Sequence, residues 1–165
     1  MAVSKHVFIS WMAILNRLPT MDRLASWGMQ VRGVYYLCQE EMETRDHLFF
    51  GCNFSKAIWR HILHLCGLHR EVGGWQEELR WAVTKIKGKA LISIFLNIAW
   101  KACIYHVWRE RNGRMHSKPS NSSLQIIEQI KEIICIKLNG VNRVATDDVN
   151  RMLCRNWGFT VDVFG

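Results

Sequence analysis

Three side chains that bind soft metals lie close together in the segment YYLCQEEMETRDHLFFGC, residues 35–52: Cys38, His47 and Cys52, spaced C-x8-H-x4-C. Thiolate and imidazole are the donors of structural zinc sites, and a closed tetrahedral site takes four of them. Bound zinc supplies folding free energy to a loop-rich module whose own core is too small to provide it. The spacing alone is equally compatible with two buried thiols and a hydrogen-bonded helical histidine. On an unbroken helix, positions five apart point in different directions. Cys52 therefore returns to His47 only if the chain bends, and Gly51 stands where that bend is needed.

The flanking residues favour the metal loop. They run Trp11, Leu18-Pro19-Thr20, Trp27-Gly28, Cys38, Glu43-Thr44, His47-Leu48-Phe49-Phe50, Cys52 and Ile58-Trp59. In order and spacing this resembles the zinc-binding domain at the C-terminal end of plant non-LTR (LINE-type) retrotransposon reverse transcriptases, over about residues 6–64. The resemblance implies zinc on Cys38, His47 and Cys52, and a non-catalytic domain that assists nucleic-acid engagement by a reverse transcriptase. It implies no enzyme activity, because the polymerase and nuclease motifs of such polyproteins are absent from this sequence. The family's first Cys falls at position 35, where this chain has Tyr35. A phenol, with its pKa near 10, gives up its proton at a cost at neutral pH and is a poor partner for thiolates. The fourth ligand position is thus impaired, and the expected site is either a weakened zinc site or a lost one. His61, His64 or Cys66 would substitute only if the following helix packs against the loop.

Charge points to a second candidate region. The net charge of +8 favours an anionic partner. The Cys/His loop is acidic, with Glu40, Glu41, Glu43 and Asp46 against Arg45, and is a poor place to hold phosphate. Residues 89–118 carry +5, from Lys89, Lys101, Arg109, Arg111, Arg114 and Lys118 against Glu110. There Trp100, Tyr105 and Trp108 interleave with the cations, the combination that single-stranded nucleic acid needs. Lys101, Arg109, Arg111 and Arg114 are the expected phosphate contacts. The aromatics at helical spacing read first as core. A different class of function remains open: a metal-free helical protein-interaction domain whose Trp-rich faces pack on a partner. Asp147-Asp148 lacks the preceding aromatic of a polymerase motif and reads as a helix cap.

The elements that must position these residues are helical. Phe8, Trp11, Met12, Leu15 and Leu18 predict one helical face ended by Pro19. Thr20 is placed to cap a short helix closed by Gly28, and Thr44 to cap another through His47–Phe50. VRGVYYL (31–37) reads as a short extended piece. A helix follows to about Leu65, then a hinge-like loop GLHREVGG, a helix over 75–88 and a long helix from about Lys89 to Gly113. SKPSNSS (117–123) is the expected linker. Beyond it lie a helix marked by Leu124, Ile127, Ile130, Ile134 and Leu138, a short helix near 147–155 and an extended end. The fold class is mainly α: a small Cys/His loop module between short helices, followed by a helical, bundle-like extension. The expected units are 1–66, 67–116, the linker 117–123 and 124–165.

Composition sets the remaining expectations. Apolar residues at 49% and charged residues at 22% describe a globular chain. The eight Trp need burial or a partner. ALISIFLNIAW (90–100) is too short between Lys89 and Lys101 to span a bilayer, which predicts a buried helix and no membrane partner. Met1–Lys5 leads straight into an amphipathic pattern, so the six Cys are expected as reduced thiols of an intracellular protein, nuclear or cytoplasmic.

Overall fold

The computed structural model describes residues 4–31, 36–39, 41–138 and 147–159. Seven α-helices carry them: α1 (Lys5–Ile14), α2 (Met21–Ser26), α3 (Asn53–Leu65), α4 (Trp75–Lys85), α5 (Leu91–Met115), α6 (Ser123–Leu138) and α7 (Asp148–Trp157). A π turn over His47–Gly51 precedes α3, and there is no strand among the described residues. Much of the expected extended piece 31–37, with Tyr35, lies outside the described residues, as does the end of the chain beyond Phe159.

The long helix α5 organises the molecule. The apolar run alone is too short to cross a membrane, but the whole helix is long and apolar enough by length and composition; 67% of its most apolar window is buried within the protein. It packs against α1, α3, α4, α6 and α7, so it is the core helix that the sequence predicts. It continues through Gly113 to Met115, two residues past the expected stop, and ends at Ser117 in a left-handed conformation (φ 55°). One continuous cluster of buried apolar side chains extends from Ala13 to Trp157. At its centre Phe50 meets Trp100 with ring centroids 5.1 Å apart, Trp75 at 5.6 Å and Trp59 at 6.1 Å. Tilted and edge-on aromatic packing of this kind adds to the area buried.

The α1 face is the first departure from expectation. Phe8, Trp11 and Leu15 point outward, each more than 40% exposed, while Ser10 and Ala13 are buried. Small residues let α1 lie close against α5, with the Ser10 hydroxyl 3.5 Å from the Lys101 carbonyl. Close backbone approach decided which face went inward, and hydrophobicity did not.

The loop between α3 and α4 is the second departure. Its glycines predict a hinge, yet it is tied down by Glu78, which is fully buried. The Glu78 carboxylate pairs with Arg70 through both oxygens and accepts the Gly73 N–H at 2.7 Å and the Trp59 indole N–H at 2.8 Å. Arg70 also stacks over Trp81 at 4.1 Å. With its lone pairs satisfied and an arginine beside it, a buried carboxylate is tolerated and fixes the loop.

The C-terminal helices follow the sequence closely. α6 buries Ile127, Ile130, Ile134 and Leu138 along one face, while Leu124, expected with them, stands exposed in its first turn. Asp147 caps α7 by accepting the Asn150 N–H at 2.8 Å, and Gly158 closes it at φ 76°. None of the six cysteines forms a disulfide. Burial pushes the thiols of Cys66 and Cys103 up to about 12, which makes them inert packing residues.

Candidate metal centre

The π turn is what brings His47 and Cys52 together. In an α-helix five residues turn through roughly 500°, leaving the two side chains about 140° apart. Here the Cys52 N–H donates to the His47 carbonyl at 2.7 Å, an i+5 bond that widens the turn and returns residue 52 toward residue 47. Thr44 starts the turn as expected, its hydroxyl accepting the His47 N–H at 3.1 Å. Gly51 acts by its missing side chain: a Cβ there would stand 3.0 Å from His47 Nδ1. Leu48, Phe49 and Phe50, all buried, anchor the turn in the aromatic core.

Cys38 arrives from the preceding loop. Its Sγ is 3.1 Å from His47 Nε2, and the donor atoms of Cys38, His47 and Cys52 all lie within 4.8 Å of one another. Donor atoms around a tetrahedral zinc with S and N ligands stand about 3.5–3.8 Å apart, so this cluster needs separations adjusted by about an ångström to hold the ion. Two thiols and one imidazole are the right chemistry. His61, His64 and Cys66 do not join them. They sit on and just after the last turns of α3, about 13 Å or more along its axis from Cys52. Tyr35, the impaired fourth position, lies outside the described residues.

Residues 1–59 match the family model described as zinc-binding in reverse transcriptase. No match was found among curated proteins or among solved structures. The matched zinc-binding segment contains the whole Cys/His cluster and ends within α3.

An orienting residue beside the matched segment's histidine escaped the sequence. Glu41 Oε2 stands 3.1 Å from His47 Nδ1. A carboxylate accepts and does not donate, so it favours the proton on Nδ1, which leaves the Nε2 lone pair toward Cys38 Sγ. That is the tautomer a metal needs, and a carboxylate behind a ligating histidine is a recurrent way of securing it. Replacing Glu41 by Ala should weaken zinc binding about tenfold with little effect on the fold. Competition against a chelating dye, with circular dichroism as the control, reads this; unchanged affinity would remove Glu41 from the site.

The rest of the acidic loop serves the fold. Glu43 is buried and holds Arg111 from α5, with Arg111 Nε 3.0 and 2.9 Å from its two oxygens and Nη2 2.6 Å from Oε1. Glu43 also accepts the Met21 N–H at 3.1 Å through its side chain and the Asp22 N–H at 3.2 Å through its carbonyl. It therefore caps α2, a role expected of Thr20, whose hydroxyl instead donates to Asp22 Oδ1 at 2.5 Å. Arg114 ties the same loop down, reaching the Leu37 carbonyl at 3.3 Å, Glu110 at 2.8 Å and the Asn121 carbonyl at 3.1 Å.

These contacts revise the expected phosphate set. Arg111 is 1% exposed and turned inward, because the loop carboxylate offers it a bidentate partner. Arg114 is engaged on three sides and stacked over Phe54 at 4.7 Å. Lys101 is half-buried between α1 and α6, and desolvation, with Lys137 nearby, lowers its pKa. Of the four, Arg109 stands exposed. Trp100 and Trp108 are buried core residues.

Proposed function

We propose that this chain carries the zinc-binding module of a LINE-type reverse transcriptase with its trailing helices, and acts as a non-catalytic element that helps engage nucleic acid. The observation that carries this is the convergence of Cys38, His47 Nε2 and Cys52 through a π turn inside the segment that matches the family. Cys38, His47 and Cys52 would hold a zinc ion, which would supply folding free energy to the module. The protein's own part is to present two thiols and an imidazole in the correct tautomer, and to brace their loop against α5 through Glu43, Arg111 and Arg114. The nucleic-acid role is supported by the net charge of +8 and by exposed cations at the end of α5, Arg109 and Lys118.

Purified protein should contain zinc that is lost on Cys52→Ser. It should also bind single-stranded oligonucleotides with an affinity that falls as salt rises, by a log–log slope of about −0.7 for each phosphate neutralised. Arg109→Glu should make that slope shallower, while Arg111→Lys should affect stability instead. Oligonucleotide binding that ignores salt would sink the nucleic-acid role.

A second reading rests on one observation. Val7, Phe8, Trp11, Ile14 and Leu15 leave an apolar stripe along α1 in solvent. Scattered apolar residues are ordinary, but a contiguous stripe with a half-exposed Trp is the kind of surface protein partners cover. Other parts of a reverse transcriptase are the natural occupants on the first reading, and an unrelated protein partner on the metal-free one.

A further inference from the structure

A groove of about 350 Å³ runs between α1 and α4, on the side of α5 that carries Asn97 and Lys101. Val7, Trp11 and Ile14 form one wall, Leu79, Val83 and Ile86 the other, and the buried Trp100 lies in the floor. Each wall repeats at i, i+4 and i+7, so the walls are two helical ridges, and the hollow between them is shaped for the ridge of a third helix. Val7, Trp11, Ile14 and Val83 are each more than 40% exposed, which leaves four large apolar side chains together in water.

The charge of the groove has one sign. Lys87 and Lys101 line it, no carboxylate does, and neither lysine pairs with an acid among the described residues. α1 carries no acid, and α5 carries none from Leu91 to Arg109. Glu77 and Glu78, in the first turn of α4, are held by the Gly73 and Gly74 N–H groups and by Arg70. Lys101 is half-buried near Lys137, where desolvation and like charge lower its pKa, and a carboxylate brought to it would offset both.

We propose that this groove docks an amphipathic helix of a protein partner, its apolar ridge between α1 and α4 and its acidic flank against Lys87 and Lys101. This is the helix-in-groove mode, in which apolar anchors at helical spacing supply affinity and opposite charge sets partner and orientation. A hollow between two ridges fits a cylinder, whereas a flat bilayer would reach only the outer tips of α1. A second copy presenting the same face would set lysine against lysine. The inference rests on the reading above that a protein covers α1, and gives that partner a shape and a charge.

Two labelled peptides, followed by fluorescence polarisation against the full chain, test it: a helix with Leu at i, i+4 and i+7 flanked by Glu, and the same helix flanked by Lys. The Glu peptide should bind saturably and about tenfold tighter than the Lys peptide, by a margin that shrinks with salt. Trp11→Ser and Val83→Ser should each weaken it about fivefold or more. Lys87→Glu should narrow the margin between the peptides, with thermal melts confirming that each variant is folded. No saturable binding, or equal binding of the two peptides, overturns the proposal. Binding that Phe8→Ser abolishes and Val83→Ser leaves intact also overturns the groove, but keeps a protein partner on the outer stripe of α1. Dimerisation in sedimentation that Trp11→Ser abolishes assigns the face to a second copy and overturns the proposal. Binding to phosphatidylserine vesicles that the same change abolishes, without peptide binding, assigns it to lipid and removes both readings.

Discussion

Arg111→Met should cost about 3–5 kcal/mol of folding stability, the usual price of leaving a buried carboxylate without its partner. Glu43 and Arg111 are 0% and 1% exposed, so neither charge has water to fall back on. For a domain stable by about 5–15 kcal/mol this is a large fraction of the total, and it should move the urea midpoint by a molar unit or more. Arg111→Lys should recover part of the loss, since an ammonium restores the charge but not the two-pronged geometry. The double variant Glu43→Leu/Arg111→Met should be more stable than Arg111→Met alone. It should remain below the wild type, because the Met21 N–H loses the acceptor that caps α2. A midpoint within 0.3 M of wild type for Arg111→Met would show that the pair contributes little.

Tyr35→Cys should bind zinc at one equivalent and at least tenfold more tightly than the wild type, a gain of about 1.4 kcal/mol. The substitution makes a C-x2-C pair with Cys38, and a third thiolate, as fourth ligand, closes the tetrahedron that two thiols and one imidazole begin. Because zinc binds the folded module, the variant's melting temperature should rise with added zinc by more than the wild type's. Tyr35→Ser, which removes the phenol without adding a thiol, should not show the gain. If Tyr35→Cys and Tyr35→Ser behave alike, position 35 is not where the fourth ligand belongs.

The helices were largely legible in the sequence, although α1 ends at Ile14, with Asn16 left-handed at φ 52°, and does not run on to Pro19. Ile127, Ile130, Ile134 and Leu138 repeat at helical spacing, and α6 buries those four. Asp147 followed by an apolar pattern reads as a cap because capping is local, and the side chain does accept the Asn150 N–H. Local signals failed where close packing set the answer. The strongest apolar stripe of α1 faces solvent because Ser10 and Ala13 permit an approach to α5 that Trp11 would block.

The Cys/His cluster was legible as a set of candidate ligands but not as a mechanism of assembly. Cys38, His47 and Cys52 stand out by residue type, and Gly51 marks the place of the bend. That the bend is a π turn, and that Gly51 is there to leave room for the His47 ring, follows only from the backbone path. Glu41 behind His47 was one more acid in an acidic loop until its carboxylate was seen beside Nδ1.

Charge shows the limit most clearly. By itself the sequence determined the helical class, the candidate ligand residues and the opposition between an acidic loop and a basic segment 89–118. Only the tertiary structure decided which of those charges face each other. Glu43 and Arg111, 68 residues apart, are buried as a pair, and Arg114 is drawn to the same loop, which leaves Arg109 and Lys118 on the outside. Residue type fixes the sign of a charge, but whether it meets water, a ligand or an internal partner depends on contacts between distant parts of the chain.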